Sequence, residues 1–126
     1  MKIYIAGPIT GVPDYKEKFK KAQKVCEERG LIVVNPAYLP EGLGKNEVYM
    51  HICYSMIDVV DGVLILDGWK DSLGTKCELE YAIKHNKRIV FQSDIETLFK
   101  WILYGRTTWE NNRVITAVST HLIQSN

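Results

Sequence analysis

Short apolar runs alternate with helical stripes along this chain, and that alternation restricts the fold more than any other feature. Lys2 to Ala6, Leu31 to Val34, Val63 to Leu66 and Arg88 to Gln92 are each of strand length. The second is continuously apolar, as in sheets covered on both faces. Between the runs, apolar residues recur at helical spacing. Tyr15, Phe19, Ala22, Val25 and Cys26 form one stripe within 15–29; Val48, Ile52, Met56 and Val59 form a second within 47–60; Leu79, Ala82 and Ile83 form a third within 75–85. Asp14 stands where a cap would start the first helix and Gly30 where a stop would end it. Strands joined through helices run parallel, with right-handed crossovers. The expected fold is an α/β domain, a three-layer flavodoxin- or Rossmann-like parallel sheet of four to five strands.

A chain of 126 residues suffices for one domain with a real core and is too short for two. The strand–helix pattern fills 2–92, and 93–126 is expected to be a C-terminal helical extension. There Ser93 and Glu96 have capping-box spacing for a helix from Asp94 to about Tyr104, and 114–123 reads as a last helix or a fifth strand. A net charge of +1 supplies no basic field for a nucleic-acid duplex. No apolar run approaches the roughly 18 residues of a spanning helix, and Met1 to Ile5 enter a strand at once, so neither membrane nor signal peptide is expected. Cys26, Cys53 and Cys77 are an odd number without a CxxC pair, which fits reduced cytoplasmic thiols packed as small hydrophobes. His51, His85 and His121 lack metal-ligand spacing; no metal or other cofactor is expected.

The chemistry is expected where the strands end. In open parallel sheets, ligands bind outside the carboxyl ends of the strands, where the next helix offers unpaired N–H groups and a positive dipole end. Gly7-Pro8-Ile9-Thr10-Gly11, after the first strand, is a glycine loop able to hold a phosphate on backbone N–H groups, without being a P-loop or a dinucleotide fingerprint. After the third strand, Asp67-Gly68-Trp69-Lys70-Asp71-Ser72-Leu73-Gly74-Thr75 is a polar loop entering a helix with Glu78 in its first turns. The dipole there favours an ionised carboxylate, which can act as a nucleophile or stabilise a cationic sugar. Each of these residues also has a plainer use: Glu78 as an ordinary helix residue, Ser72 or Thr75 as a cap, Trp69 as a subunit contact instead of a base-stacking ring. The ten residues from Ala37 to Asn46, with Pro40, Gly42 and Gly44, make a long connection that is either a lid, a substrate wall or simple surface chain.

Together, Tyr4-Ile5-Ala6-Gly7-Pro8-Ile9-Thr10-Gly11, Asn35-Pro36, and Gly68-Trp69 followed by Ser72-Leu73-Gly74-Thr75-x-x-Glu78-x-x-x-Ala82 resemble the nucleoside 2-deoxyribosyltransferase-like superfamily over about residues 2–92. Within it the chain looks closest to small domains often found in phages and prophages; 2′-deoxynucleoside 5′-phosphate N-hydrolases are the nearest group with a known reaction. The resemblance implies that Glu78 attacks the anomeric carbon of a deoxyribose, with Tyr4 beside it. It also implies that Gly7 to Gly11 and Ser72 contact the sugar phosphate.

Members commonly carry an acidic residue on the helix before the third strand, and the phage-type domains show Arg and Asp in this stretch. His51 and Cys53 stand there in this chain. Asp58, Asp61, Asp67 or Asp71 would have to substitute, Asp67 and Asp71 being the better placed. The family's glycine two residues after the nucleophile is Glu80, which either faces solvent or turns inward and raises the pKa of Glu78. The implied activity is N-glycosidic cleavage or deoxyribosyl transfer on a 2′-deoxynucleoside 5′-monophosphate; the alternative is a nucleotide-binding or sensing module without turnover. The implied partners are a small deoxynucleotide or nucleoside and further copies of the chain, as a homodimer or larger homo-oligomer.

Overall fold

The computed structural model describes residues 1–95. In it β1 (Lys2–Ala6), β2 (Ile32–Val34), β3 (Gly62–Ile65) and β4 (Arg88–Phe91) form one sheet in the order β2-β1-β3-β4. Every pairing is parallel, with Tyr4 opposite both Val34 and Val63. The connecting helices are α1 (Tyr15–Glu28), α2 (Asn46–Asp58) and α3 (Leu73–Lys84). Helices on both faces of a parallel sheet are the expected α/β architecture.

The central strands show why the layers form. Side chains alternate across β1, so Ile3 and Ile5 enter the core beneath α1 with Phe19, Cys26 and Leu64. Tyr4 and Ala6 enter the opposite core, under α2 and α3, with Cys53, Ile57, Val63 and Leu79. Tyr4 is thereby fully buried, on the face that α3 also covers.

Several local expectations shift. β2 lies at the sheet edge and Ile32 is 62% exposed, so this apolar run is not covered on both faces. The inward residues of α2 are Cys53 and Ile57, while Val48 and Val59 face solvent. On α3, Leu79 and Ala82 are buried but Ile83 is half exposed. Asp14 precedes α1 without making a side-chain cap, because its backbone is not extended; its carboxylate lies 3.7 Å from Lys18 Nζ instead. After β4 a short 3-10 helix spans Gln92–Asp94, with Ser93 inside it. The helix expected to run on to Tyr104, Glu96 of the capping box and the segment 114–123 lie outside the described residues.

The long connection after β2 is held at several points. Asn35 Oδ1 accepts from Ala37 N–H at 2.8 Å, opening a 3-10 turn over Pro36–Tyr38. Further on, the Tyr49 hydroxyl donates to the Pro40 carbonyl at 2.7 Å and accepts from Leu43 N–H at 3.1 Å. Lys16 of α1 lies 3.8 Å from Glu41. The loop is a fastened wall between α1 and α2. Among the described residues no helix is long and apolar enough to cross a membrane.

Candidate active site

The strand order reverses between β1 and β3, and the two glycine-containing loops leave the sheet on either side of that point. Their contact is close. A Cβ at Gly7 would lie 2.9 Å from Leu66 Cδ1, so only glycine lets the first loop start against the end of β3. Gly68 has a φ of +88°, and a Cβ there would meet Pro8 Cγ at 3.4 Å. Pro8 thus touches the central loop, while Ile9 is exposed and the chain turns through Gly11 at a φ of +77°.

Past Gly68 the chain makes a 3-10 turn over Trp69–Asp71 and enters α3. Trp69 is half-buried, its ring 5.3 Å from that of Phe91 on β4, and Lys70 Nζ lies 5.7 Å from the indole centroid. Ser72 caps α3: its Oγ accepts from Thr75 N–H at 3.2 Å and from the buried Thr75 hydroxyl at 2.8 Å. Neither bond uses the Ser72 hydroxyl proton, which is left to donate elsewhere. Gly74, exposed in the first turn, has nothing within 4 Å of where its Cβ would be, so packing does not require a glycine there. The N–H groups of Leu73 and Gly74 lack intrahelical acceptors by their position in the helix.

One turn further, Glu78 points into the core. The Tyr4 hydroxyl donates to Glu78 Oε2, joining β1 to α3 across 74 residues of sequence. Both groups are buried, Glu78 being only 7% exposed. Burial pushes the Glu78 carboxyl from 4.5 up to about 7, against the Tyr4 hydrogen bond, which pulls it down. The direction of this shift is opposite to the one expected from the helix dipole. α3 starts at Leu73, which places Glu78 beyond the first turn where the dipole acts, and desolvation wins. Tyr4 is itself raised well above 10, by burial first and then by the Glu78 charge. Glu80 is exposed and so takes the solvent-facing alternative.

Cys53 completes the surroundings. It is buried in the same core cluster as Tyr4. Burial holds its thiol up at about 11. Sequence reasoning treats Cys53 as a departure from the family pattern; its place in the same buried cluster as Tyr4 required the three-dimensional packing of α2. Gln92 is a second residue without a sequence signal: its Oε1 accepts from Asp67 N–H at 2.8 Å and fixes the start of the central loop.

Asp67 and Asp71 are exposed, and neither is hydrogen-bonded to Tyr4 or Glu78. The other two acidic candidates belong to the opposite, amino edge of the sheet. Asp61 accepts from Lys2 N–H at 2.8 Å, and Asp58 accepts from the Tyr81 hydroxyl at 2.5 Å. His51 is exposed. Among the described residues no group of three or more His, Cys, Asp or Glu side chains could hold a metal ion.

Comparisons with known proteins bear on the fold. A family model described as a domain of unknown function (DUF4406) matches residues 1–91. No curated protein matches the chain. Among solved structures, a 2-desoxiribosyltransferase from Leishmania mexicana superposes with a TM-score of 0.58 at 20% identity, covering 71% of this chain and 62% of that one. This chain thus spans under two thirds of that protein's length. A 2-deoxyribosyltransferase from the psychrotolerant bacterium Bacillus psychrosaccharolyticus gives a TM-score of 0.58 at 26% identity, covering 72% of this chain and 71% of that one. The four-stranded parallel sheet and its flanking helices are the deoxyribosyltransferase fold.

Proposed function

The chain belongs to the DUF4406 family, whose description names no activity, and from that premise we propose that it cleaves the N-glycosidic bond of a 2′-deoxynucleoside 5′-monophosphate. What supports this activity is one feature: a buried carboxyl, Glu78, hydrogen-bonded to Tyr4 beside the strand-order reversal. The likeness to 2-deoxyribosyltransferases supports glycosyl transfer at a nucleoside in general.

In this reaction the ionised Glu78 attacks C1′ of the deoxyribose, and the C1′–N bond electrons leave with the base, which takes a proton from solvent or from an acid. Water then adds to C1′, its proton passing to solvent, and releases 2-deoxyribose 5-phosphate and free Glu78. A second base in place of water gives transfer. Tyr4 steadies the carboxylate by donating to it. Ser72, the exposed N–H groups of Leu73 and Gly74, and the loop of Gly7, Pro8, Ile9, Thr10 and Gly11 hold the phosphate. Thr75 supports Ser72, Trp69 borders the base, and Asp67 or Asp71 supplies the acid. Substrate and product are small molecules, and the active species is a homodimer or larger homo-oligomer.

One observation favours a nucleotide-binding module without turnover: the α2 residue that shares a buried cluster with Tyr4 is a thiol, Cys53, where the family resemblance calls for an acid. Incubating the purified protein with dAMP, dGMP, dCMP and dTMP, and reading free base and sugar phosphate by chromatography, separates the two. Base release that disappears in Glu78→Ala supports cleavage. Nucleotide binding with no release, or release that survives Glu78→Ala, overturns it. Because the attacking form is ionised, turnover should rise with pH through about 7.

A further inference from the structure

We infer that Gln92 is a specificity-determining residue: its side-chain amide is locked with the NH2 group free to donate at the mouth of the central loop, so that it takes a base carrying a ring carbonyl in preference to one carrying an amino group. The lock follows from one bond. A backbone N–H can only donate, so the group that meets the Asp67 N–H at 2.8 Å is the amide oxygen, Gln92 Oε1. Turning the amide over would set the NH2 group against that N–H, two donors face to face. The nitrogen end is therefore fixed as a donor. It has no hydrogen-bond partner among the described residues and is not one of their buried unpaired polar atoms, so its protons are open to solvent or to a ligand.

The end of β4 meets the central loop twice. Gln92 bonds to Asp67, and Phe91, the residue before it, carries the ring that lies 5.3 Å from the ring of Trp69 in the same loop. With the base bordered by Trp69, as in the cleavage reading above on which this step rests, the Gln92 amide lies at the edge of that base. The residue is also held from behind. Its carbonyl accepts from the Ile95 N–H in the 3-10 turn, and Ile95 packs on the core beneath α1. A half-buried side chain fixed at both ends has little freedom to adapt to a second kind of partner. A ring carbonyl offers lone pairs to the NH2 group, whereas an exocyclic amino group offers further donors and leaves both sets of protons without an acceptor.

The test measures binding and not turnover, which keeps it separate from the reaction. Dissociation constants are taken by calorimetry on the full chain for two pairs of nucleotides, dIMP against dAMP and dUMP against dCMP, whose bases exchange a ring carbonyl for an amino group. The carbonyl member should bind about 10-fold more tightly in each pair. Gln92→Glu keeps an oxygen for the Asp67 N–H and puts an acceptor where the NH2 group was, so the order should reverse in both pairs. In Gln92→Met, which has no donor, the two members should bind within about 2-fold of each other. Equal constants in the unsubstituted chain, tighter binding of the amino members, or an order that Gln92→Glu leaves unchanged overturns the inference. If Gln92→Glu does not fold, the loss of preference in Gln92→Met decides alone. Carbonyl preference in a protein that releases no base keeps the inference and removes the reaction; base release without the preference does the reverse, and failure to bind any of the four nucleotides overturns both.

Discussion

Tyr4 and Tyr81 both donate to a carboxylate on another element, yet the two pairs are chemically different objects. Tyr81 reaches from α3 to Asp58 on α2 at 2.5 Å in an exposed bond, with its ring stacked between Tyr54 at 4.1 Å and His85 at 4.0 Å. Its hydroxyl is raised above 10 chiefly because it donates to Asp58. Tyr4 reaches from β1 to Glu78 inside the core, and there burial is the main cause of both raised pKa values. What separates the exposed clip from the buried pair is water, since a carboxylate in bulk solvent is well hydrated and one in the core is not.

The contrast is sharpest if each carboxyl is neutralised. Glu78→Gln should lower base release by at least about 10³-fold, whereas Asp58→Asn should leave it within about 2-fold, measured as initial rates on the preferred nucleotide. Equal losses would make the buried pair no more special than the surface one.

Stability should separate the pairs next. The folded value of Glu78, about 7, lies above its ordinary 4.5, so the native state binds the extra proton between those limits. Stability is then full below about 4.5 and falls as pH rises to 7, with a cost of about 3 kcal/mol once Glu78 is ionised. Urea unfolding across this window should show the slope, and Glu78→Gln should flatten it.

Removing the donors tests the same contrast at smaller scale. Tyr4→Phe should raise the Glu78 midpoint beyond about 7 and cut turnover roughly 10- to 100-fold, while Tyr81→Phe leaves turnover unchanged. The smallest effect is expected at Gly74, where a Cβ meets nothing within 4 Å. Gly74→Ala should raise thermal stability by up to about 1 kcal/mol through helix propensity and yet, if the proposed phosphate site is right, weaken dAMP binding in calorimetry.

Much of the frame was readable because it depends on short-range pattern. The strand runs, the Gly30 stop and the loops at Gly7 and Gly68 are local signals, and the resemblance singled out Tyr4 and Glu78. What could not be read was which residues share a buried volume. Ile32 sits in an apolar run but on an edge strand, a fact decided only when β1 pairs with β3 on its other side. On α2 the stripe through Val48, Ile52, Met56 and Val59 is a legitimate helical face, but Cys53 and Ile57 are the ones turned inward. That rotation brings Cys53 into the same buried cluster as Tyr4. Burial likewise raises the pKa of Glu78 where its helix position alone would lower it, because the dipole is a local property and desolvation is a tertiary one.

The Tyr49 hydroxyl, held between Pro40 and Leu43, makes a closed ring of the connection's middle and leaves Glu41 and Gly42 at its apex. A ring pinned at its base leaves its apex tied to the helices only by the exposed Lys16–Glu41 pair. Residues added between Glu41 and Gly42 would lengthen a spur instead of displacing the wall, so this is the graftable position of the domain, where a tag or a specificity-altering insert would leave the sheet's register intact.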